Sequence, residues 1–129
     1  MEEIASEPQA NLARDFLISR ALGDFDAAVA LLADDAVWHS PVDGPRRGPA
    51  AIRDALVAAE RETDSFRSTV EDVEVRGDRA IATIVNHAER DGRELSSRQW
   101  LGFRFRDGQI AEISIAVDDQ AAVERFWAS

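Results

Sequence analysis

Three two-residue turns, Gly77-Asp78, Asp91-Gly92 and Asp107-Gly108, divide the second half of the chain into extended runs. Asp and Gly both tolerate the positive φ that a tight hairpin needs if its twist is to match its strands. Val73 and Val75 alternate with polar residues up to the first turn. Residues 79–90 and 94–106 flank the second turn, and residues 110–117 follow the third. Period-two runs separated by such turns predict a four-stranded antiparallel meander. A meander has an apolar face to bury, so the first half of the chain must supply its cover.

That half reads as helical. Ser6 and Pro8 mark a helix start, and Leu12, Ala13, Phe16 and Leu17 then recur at helical spacing. Gly23 suits the left-handed end of this helix. Asp24 can cap a second helix whose apolar face is Phe25, Ala28, Val29 and Leu32, closed by Asp34-Asp35. A short strand is expected over 36–40, then the loop PVDGPRRG. Gly48-Pro49 opens a third helix, with proline where a missing N–H costs nothing, and Ile52, Ala55, Leu56 and Ala59 form its buried face. The whole is an α+β layout, expected to form one domain over 1–129.

Composition removes several classes of function. The chain has 129 residues and no cysteine, so thiolate nucleophiles, disulfides and Cys-ligated metals are excluded. His39 and His87 are its only histidines, too few for a His-rich metal site, and neither a metal nor a cofactor is implied. A net charge of −10 opposes binding to phosphate backbones, so no nucleic-acid partner is expected. No apolar run is long enough to cross a membrane. The acidic start MEEIASEPQ does not resemble a signal peptide, which makes the cytoplasm the expected compartment.

The run ALGDFDAAVALLADDAVWHSPVDGPRRGPAAIRDAL resembles the N-terminal half of the nuclear transport factor 2-like superfamily, in its SnoaL-like and ketosteroid isomerase-like branches. An ERDGR hairpin, FRFRDGQIAEI and a closing DDQAAVERFW extend the resemblance over nearly the whole chain. It implies a cone-shaped barrel, in which a strongly curved antiparallel sheet and three N-terminal helices enclose an apolar cavity. It also implies a homodimer formed through the outer sheet face. The superfamily hosts isomerases, cyclases, epoxide hydrolases, dehydratases and non-catalytic binders, so the fold alone does not name a reaction.

Strand alternation sorts the side chains once this fold is assumed. Trp38 and Ser40 point inward, with His39 outward between them. Phe16 on the first helix joins them. Ile84 and Asn86 follow on one strand, flanked by Ala82 and Ala88. Ser97, Gln99, Leu101 and Phe103 follow on the next. Ile113 and Ile115 complete the expected ligand-cavity wall, with Val117 beyond them. His87, Arg98, Trp100 and Arg104 are left on the outer face.

The resemblance can be tested residue by residue. Ketosteroid isomerases use a carboxylate base and an oxyanion hole made of a tyrosine and a protonated aspartic acid. Those positions fall on Ser40, Phe16 and Leu101, none with equivalent acid–base chemistry. Cyclases of the SnoaL type use a histidine and an aspartate on the last two strands. Here Leu101 and an apolar Ile113 or Ile115 stand there, with Gln99 a polar group nearby. The limonene epoxide hydrolase pattern of one Arg and two Asp fails at Arg98 and Trp100, which have no aspartate at the required spacing.

Ser40 and His39 are the remaining catalytic candidates, each with a plainer reading. Ser40 has no partner assured to activate it and can pair with backbone, whereas His39 points away from the cavity. Asn86 and Gln99 carry more information, because an unpaired amide on a buried wall costs about 1–3 kcal/mol. They bond each other and Ser97, or they bind a ligand. Trp38 and Phe103 stack on a ligand or are core. Asp118 and Asp119 reach the cavity mouth or cap the last helix, and capping is the expected role.

Two readings of function follow. The first is a homodimer binding a small apolar organic molecule, with any catalysis isomerase-, cyclase- or dehydratase-like and driven by orientation and hydrogen bonding. The second is a non-catalytic interaction or carrier protein that works through the outer face around Trp100.

Overall fold

Each of the three turns closes a hairpin. β3 (Ser65–Arg76), β4 (Arg79–Arg90), β5 (Arg93–Arg106) and β6 (Gln109–Val117) pair antiparallel in chain order. Asp91 and Asp107 adopt φ of 50° and 53°, and Gly92 and Gly108 follow at 77° and 74°. Both turn residues are therefore left-handed, the geometry for which Asp-Gly is preferred. The computed structural model describes residues 2–42 and 44–128, with side chains from residue 8 onward. Asp43 and the Ser6 side chain, which belonged to the expected loop and helix start, lie outside the described residues.

Two further strands extend the meander. β1 (Leu32–His39) runs parallel to β6, and the two-residue β2 (Arg46–Arg47) pairs antiparallel with β1. The sheet order is β2-β1-β6-β5-β4-β3. β1 begins earlier than the sequence suggests. Leu32 sits opposite Ile110 in the sheet instead of on the second helix, and α2 spans only Phe25–Val29. Leu32 fits either period, so spacing alone does not separate a helix end from a strand start. A register shift between Leu32 and Val37 leaves Asp34 and Asp35 exposed, and Asp35 pairs with Arg106. Further shifts at Val70/Asp72 and Arg104/Phe105 interrupt the ladders. Such irregularities bend strands, and the sheet is curved but not closed.

The helices cover its inner face. α1 (Glu2–Ala21) starts before Ser6 and takes Pro8 inside it, at the loss of one main-chain hydrogen bond. It ends where expected: Gly23, at φ 77°, donates to the Arg20 carbonyl at 3.1 Å and Asp24 to that of Ser19 at 2.8 Å. This left-handed closure satisfies two carbonyls the helix leaves unpaired. Asp24 then caps α2 by accepting the Ala27 N–H at 3.1 Å. α3 is Pro49–Arg61, with Ile52 and Leu56 buried. α4 (Gln120–Trp127) is capped by Asp119, which accepts the Ala122 N–H. Arg90 donates to the carbonyls of Phe126 and Ala128, and Arg93 to those of Arg125 and Ala128. Two arginines of one hairpin thus anchor the end of the last helix.

Along the inner face, the strands change character. Phe16 of α1 packs edge-on against Phe103 of β5, ring centroids 6.0 Å apart, and Phe103 stacks on Phe105. Leu32, Ala82, Leu101 and Ile110 join this cluster. Toward the opposite strand ends the inward residues become Ala88, Asn86, Leu95 and Gln99, and the packing opens.

Gly48 joins β1 to α3. It donates to the Ala36 carbonyl at 2.7 Å and has φ 85° and ψ 154°, a region essentially reserved for glycine. Replacing it with valine is expected to destabilise the fold by about 1–3 kcal/mol. Thermal melting reads this directly, and an unchanged melting temperature would show that the junction relaxes without strain.

Candidate functional site

A cavity of about 390 Å³ lies where the inner face opens. Its sheet wall is Trp38 and Ser40 of β1 and its extension, Phe66 of β3, Asn86 and Ala88 of β4, Leu95 and Gln99 of β5, and Ile115 of β6. Helices close the other side. α3 supplies Leu56 together with Ala55 and Ala59, whose small side chains leave the space, and α4 supplies Val123 and Trp127. Arg20 enters from α1.

The expected wall is divided. Trp38, Ser40, Asn86, Gln99 and Ile115 border the cavity. Ile84, Leu101, Phe103 and Ile113 share the inner face but pack in the core, as does Phe16 of α1. Ser97 is buried beside Asn86 in register, and its hydroxyl donates to Asp118 at 3.3 Å. Alternation reports the face of a residue and carries no information on how far along a strand the helices remain in contact.

The polar groups differ in how they are satisfied. Ser68 donates its hydroxyl to Asn86 Oδ1 across the β3–β4 pair. Ser40 Oγ accepts the Val42 N–H at 3.1 Å, a local turn bond. Gln99 is 8 % exposed on the wall, and no described side chain is hydrogen-bonded to its amide. His39 occupies the other face of β1. Its Nε2 is 2.8 Å from Glu112 Oε2, and Arg104 Nε donates to Glu112 Oε1 at 3.2 Å. Among the described residues no group of three acidic or histidine side chains could hold a metal ion.

Arg20 is the group that residue-by-residue comparison passed over. It falls four residues after Phe16 and three after Leu17, on the buried stripe of α1. Its Cζ lies 5.7 Å from the Trp38 ring centroid and 5.3 Å from that of Phe66. Its Nη1 is sealed from solvent and has no hydrogen-bond partner among the described residues. Burial pushes its pKa down to about 10, so it stays cationic at neutral pH. Cation–π contact returns up to about 2 kcal/mol when desolvated. Removing a charge from water costs several kcal/mol, so the aromatic rings offset the penalty only in part. Phe66 was hidden because the strand before Val73 carries mixed polar residues. Arg20 could have been found as a charged residue at an apolar position of the helical repeat.

On the outer face, the bond to His39 and then that to Arg104 hold the Glu112 carboxyl below its usual value of 4.5. A carboxylate with a lowered folded-state pKa adds stability above the usual value, and that stability is lost as pH falls through the lowered one. Glu112→Gln is therefore expected to be less stable than the wild type at pH 7, with the difference shrinking as pH falls below 4.5 so that the acid side of its stability profile is flatter. Denaturant titrations across that range check it. An identical acid limb in the variant would show that this triad carries no pH-linked stability.

A model of the SnoaL-like domain matches residues 13–113. Comparison with curated proteins finds no match. Among solved structures, Bal32a from a soil-derived mobile gene cassette is 26% identical, with 95% of this chain and 98% of that one covered and a TM-score of 0.90. A putative polyketide cyclase from Sinorhizobium meliloti is 24% identical over 82% of this chain and 94% of that one, with a TM-score of 0.72. An LEH-like epoxide hydrolase from M. tuberculosis is 18% identical over 93% of this chain and 92% of that one, with a TM-score of 0.77. At these two lower identities the likeness is one of fold.

Proposed function

Because the chain belongs to the SnoaL-like domain family of the nuclear transport factor 2-like superfamily, we propose that its cavity binds a small organic molecule. The observation that carries this reading is a space of about 390 Å³ bordered by apolar side chains and a few convergent polar groups. Trp38, Phe66 and Trp127 offer aromatic surface for a ligand body, and Gln99 and Asn86 offer amides to orient it. Any reaction would be of the cyclase, isomerase or dehydratase kind, resting on orientation and hydrogen bonding. Ser40 is engaged with backbone and His39 with Glu112, which supports a site without a strong base at those positions. Phe16 and Leu101, which stand where ketosteroid isomerases carry their oxyanion donors, are fully buried in the core. That filling argues against steroid isomerisation at this site.

The neutral fluorescent probe 1-aminoanthracene is expected to bind with enhanced emission. Ala59→Trp, which puts an indole into the cavity, is expected to lower its affinity at least tenfold while thermal melting stays cooperative. Equal affinity in a folded Ala59→Trp would mean that the probe, and the proposed ligand, bind elsewhere.

A second reading concerns the outer sheet face. Ile81 is 48 % exposed there and Trp100 37 %, flanked by the Arg98–Glu71 pair. Apolar surface of this kind, ringed by charge, supports a homodimer through the sheet, as the resemblance implies. Trp100→Glu is expected to shift the protein from dimer to monomer in light scattering. A wild-type protein that is already monomeric would remove this interface from the account.

A further inference from the structure

We propose that the cavity is selective for organic anions, and that Arg20 pairs with the ligand's carboxylate or other oxyanion. This rests on the cavity being a binding site, and it adds the class of ligand.

Three observations lead to it. First, Arg20 is a half-buried cation at the cavity wall to which the described residues offer only ring faces. The faces of Trp38 and Phe66 hold the guanidinium but do not accept its N–H bonds in the plane of the group, and Nη1 has no partner among the described residues. A planar guanidinium has five donors arranged to meet a carboxylate or a similar oxyanion, so the missing partner is an acceptor with that geometry.

Second, the fold does not use this charge for its own stability. Burial lowers the Arg20 pKa, which means that folding disfavours the charged form. A methionine or leucine on the same stripe of α1 would fill the space without that penalty. Several other arginines have acidic partners: Arg53 pairs with Asp26, Arg98 with Glu71, Arg104 with Glu112 and Arg106 with Asp35. Arg20 stands apart from this pattern even though acidic side chains are near. Glu62 borders the same cavity, and Glu60 and Asp64 border a smaller one that Arg20 also lines, yet none forms an ion pair with it.

Third, the space beside the guanidinium suits the rest of such a ligand. Leu56, Ala59 and Phe66 border both cavities along with Arg20, and Trp38 and Ile115 extend the apolar surface. An anion with a flat hydrocarbon body can thus place its charge on Arg20 and its rings against aromatic and aliphatic walls. An inorganic anion would leave those walls unfilled.

The matched pair 2-naphthoate and 2-naphthamide, equal in shape and different in charge, separates the two parts of the account. Calorimetric titration of the wild-type protein is expected to give at least tenfold tighter binding of the naphthoate. In Arg20→Met, which keeps an apolar stem in the same place, the preference is expected to vanish, with the naphthamide affinity held within about threefold. Arg20→Lys is expected to restore part of it, as a point charge does for a group that a planar fork would grip better. Equal binding of the two compounds to the wild type would overturn the anion assignment and leave cavity binding intact. Binding of neither would overturn both. The wild-type comparison decides even if Arg20→Met fails to fold. A preference for naphthoate that survives in a folded Arg20→Met would assign the charge recognition to another cation, with Arg46 on the cavity rim the next to be replaced.

Discussion

A half-buried guanidinium held between two aromatic rings, its Nη1 sealed from solvent and without an acceptor among the described residues, organises the working end of this molecule. A buried charge demands compensation. The covalent structure offers it only in part, through Trp38 of β1 and Phe66 of β3, side chains from strands far apart in the sheet order. Arg20 therefore ties α1 to both flanks of the curved sheet while leaving its hydrogen-bonding capacity for something that arrives from outside. Stability and recognition pull in opposite directions at this position, as expected where a site is prepared for a ligand.

The surrounding fold explains how such a space persists. At one end the inner face carries Leu101, Phe103 and Ile110, large side chains that pack completely in the core with Phe16 of α1. At the other end α3 presents Ala55 and Ala59, too small to fill the distance to the strands, and the cavity is what they leave. The closing helix α4 is not held by packing alone. Val123 and Phe126 are buried, while Arg90 and Arg93 grip its last carbonyls. The anchoring hairpin also carries Asn86, Leu95 and Gln99, so the wall and the helix that closes it are braced by the same pair of strands.

Much of this was legible in residue order. Asp91-Gly92 and Asp107-Gly108 announce hairpins because few dipeptides accept two left-handed residues, and alternation assigns Asn86, Gln99 and Trp100 to their faces. Asp24, Gly48 and Asp119 act at helix ends as their chemistry suggests. β2 was not legible, since Arg46 and Arg47 form a strand only by pairing with Val37 and Trp38. Leu32 reads as helical because local periodicity ignores its partner Ile110, far along the chain. The site was less accessible still. Family positions direct the eye to Phe16, Ser40 and Leu101, whereas the unusual residue is Arg20, one turn beyond Phe16. Its charge becomes conspicuous only when Trp38 and Phe66 are seen around it.

A crystal structure of the protein soaked with 2-naphthoate tests the role of Arg20 most directly. A carboxylate within about 3 Å of Arg20 Nη1 is expected, with the rings between Trp38 and the apolar wall of α3. A naphthoate carboxylate bound to surface arginines, with Arg20 still between its two rings and no ligand beside it, would contradict it.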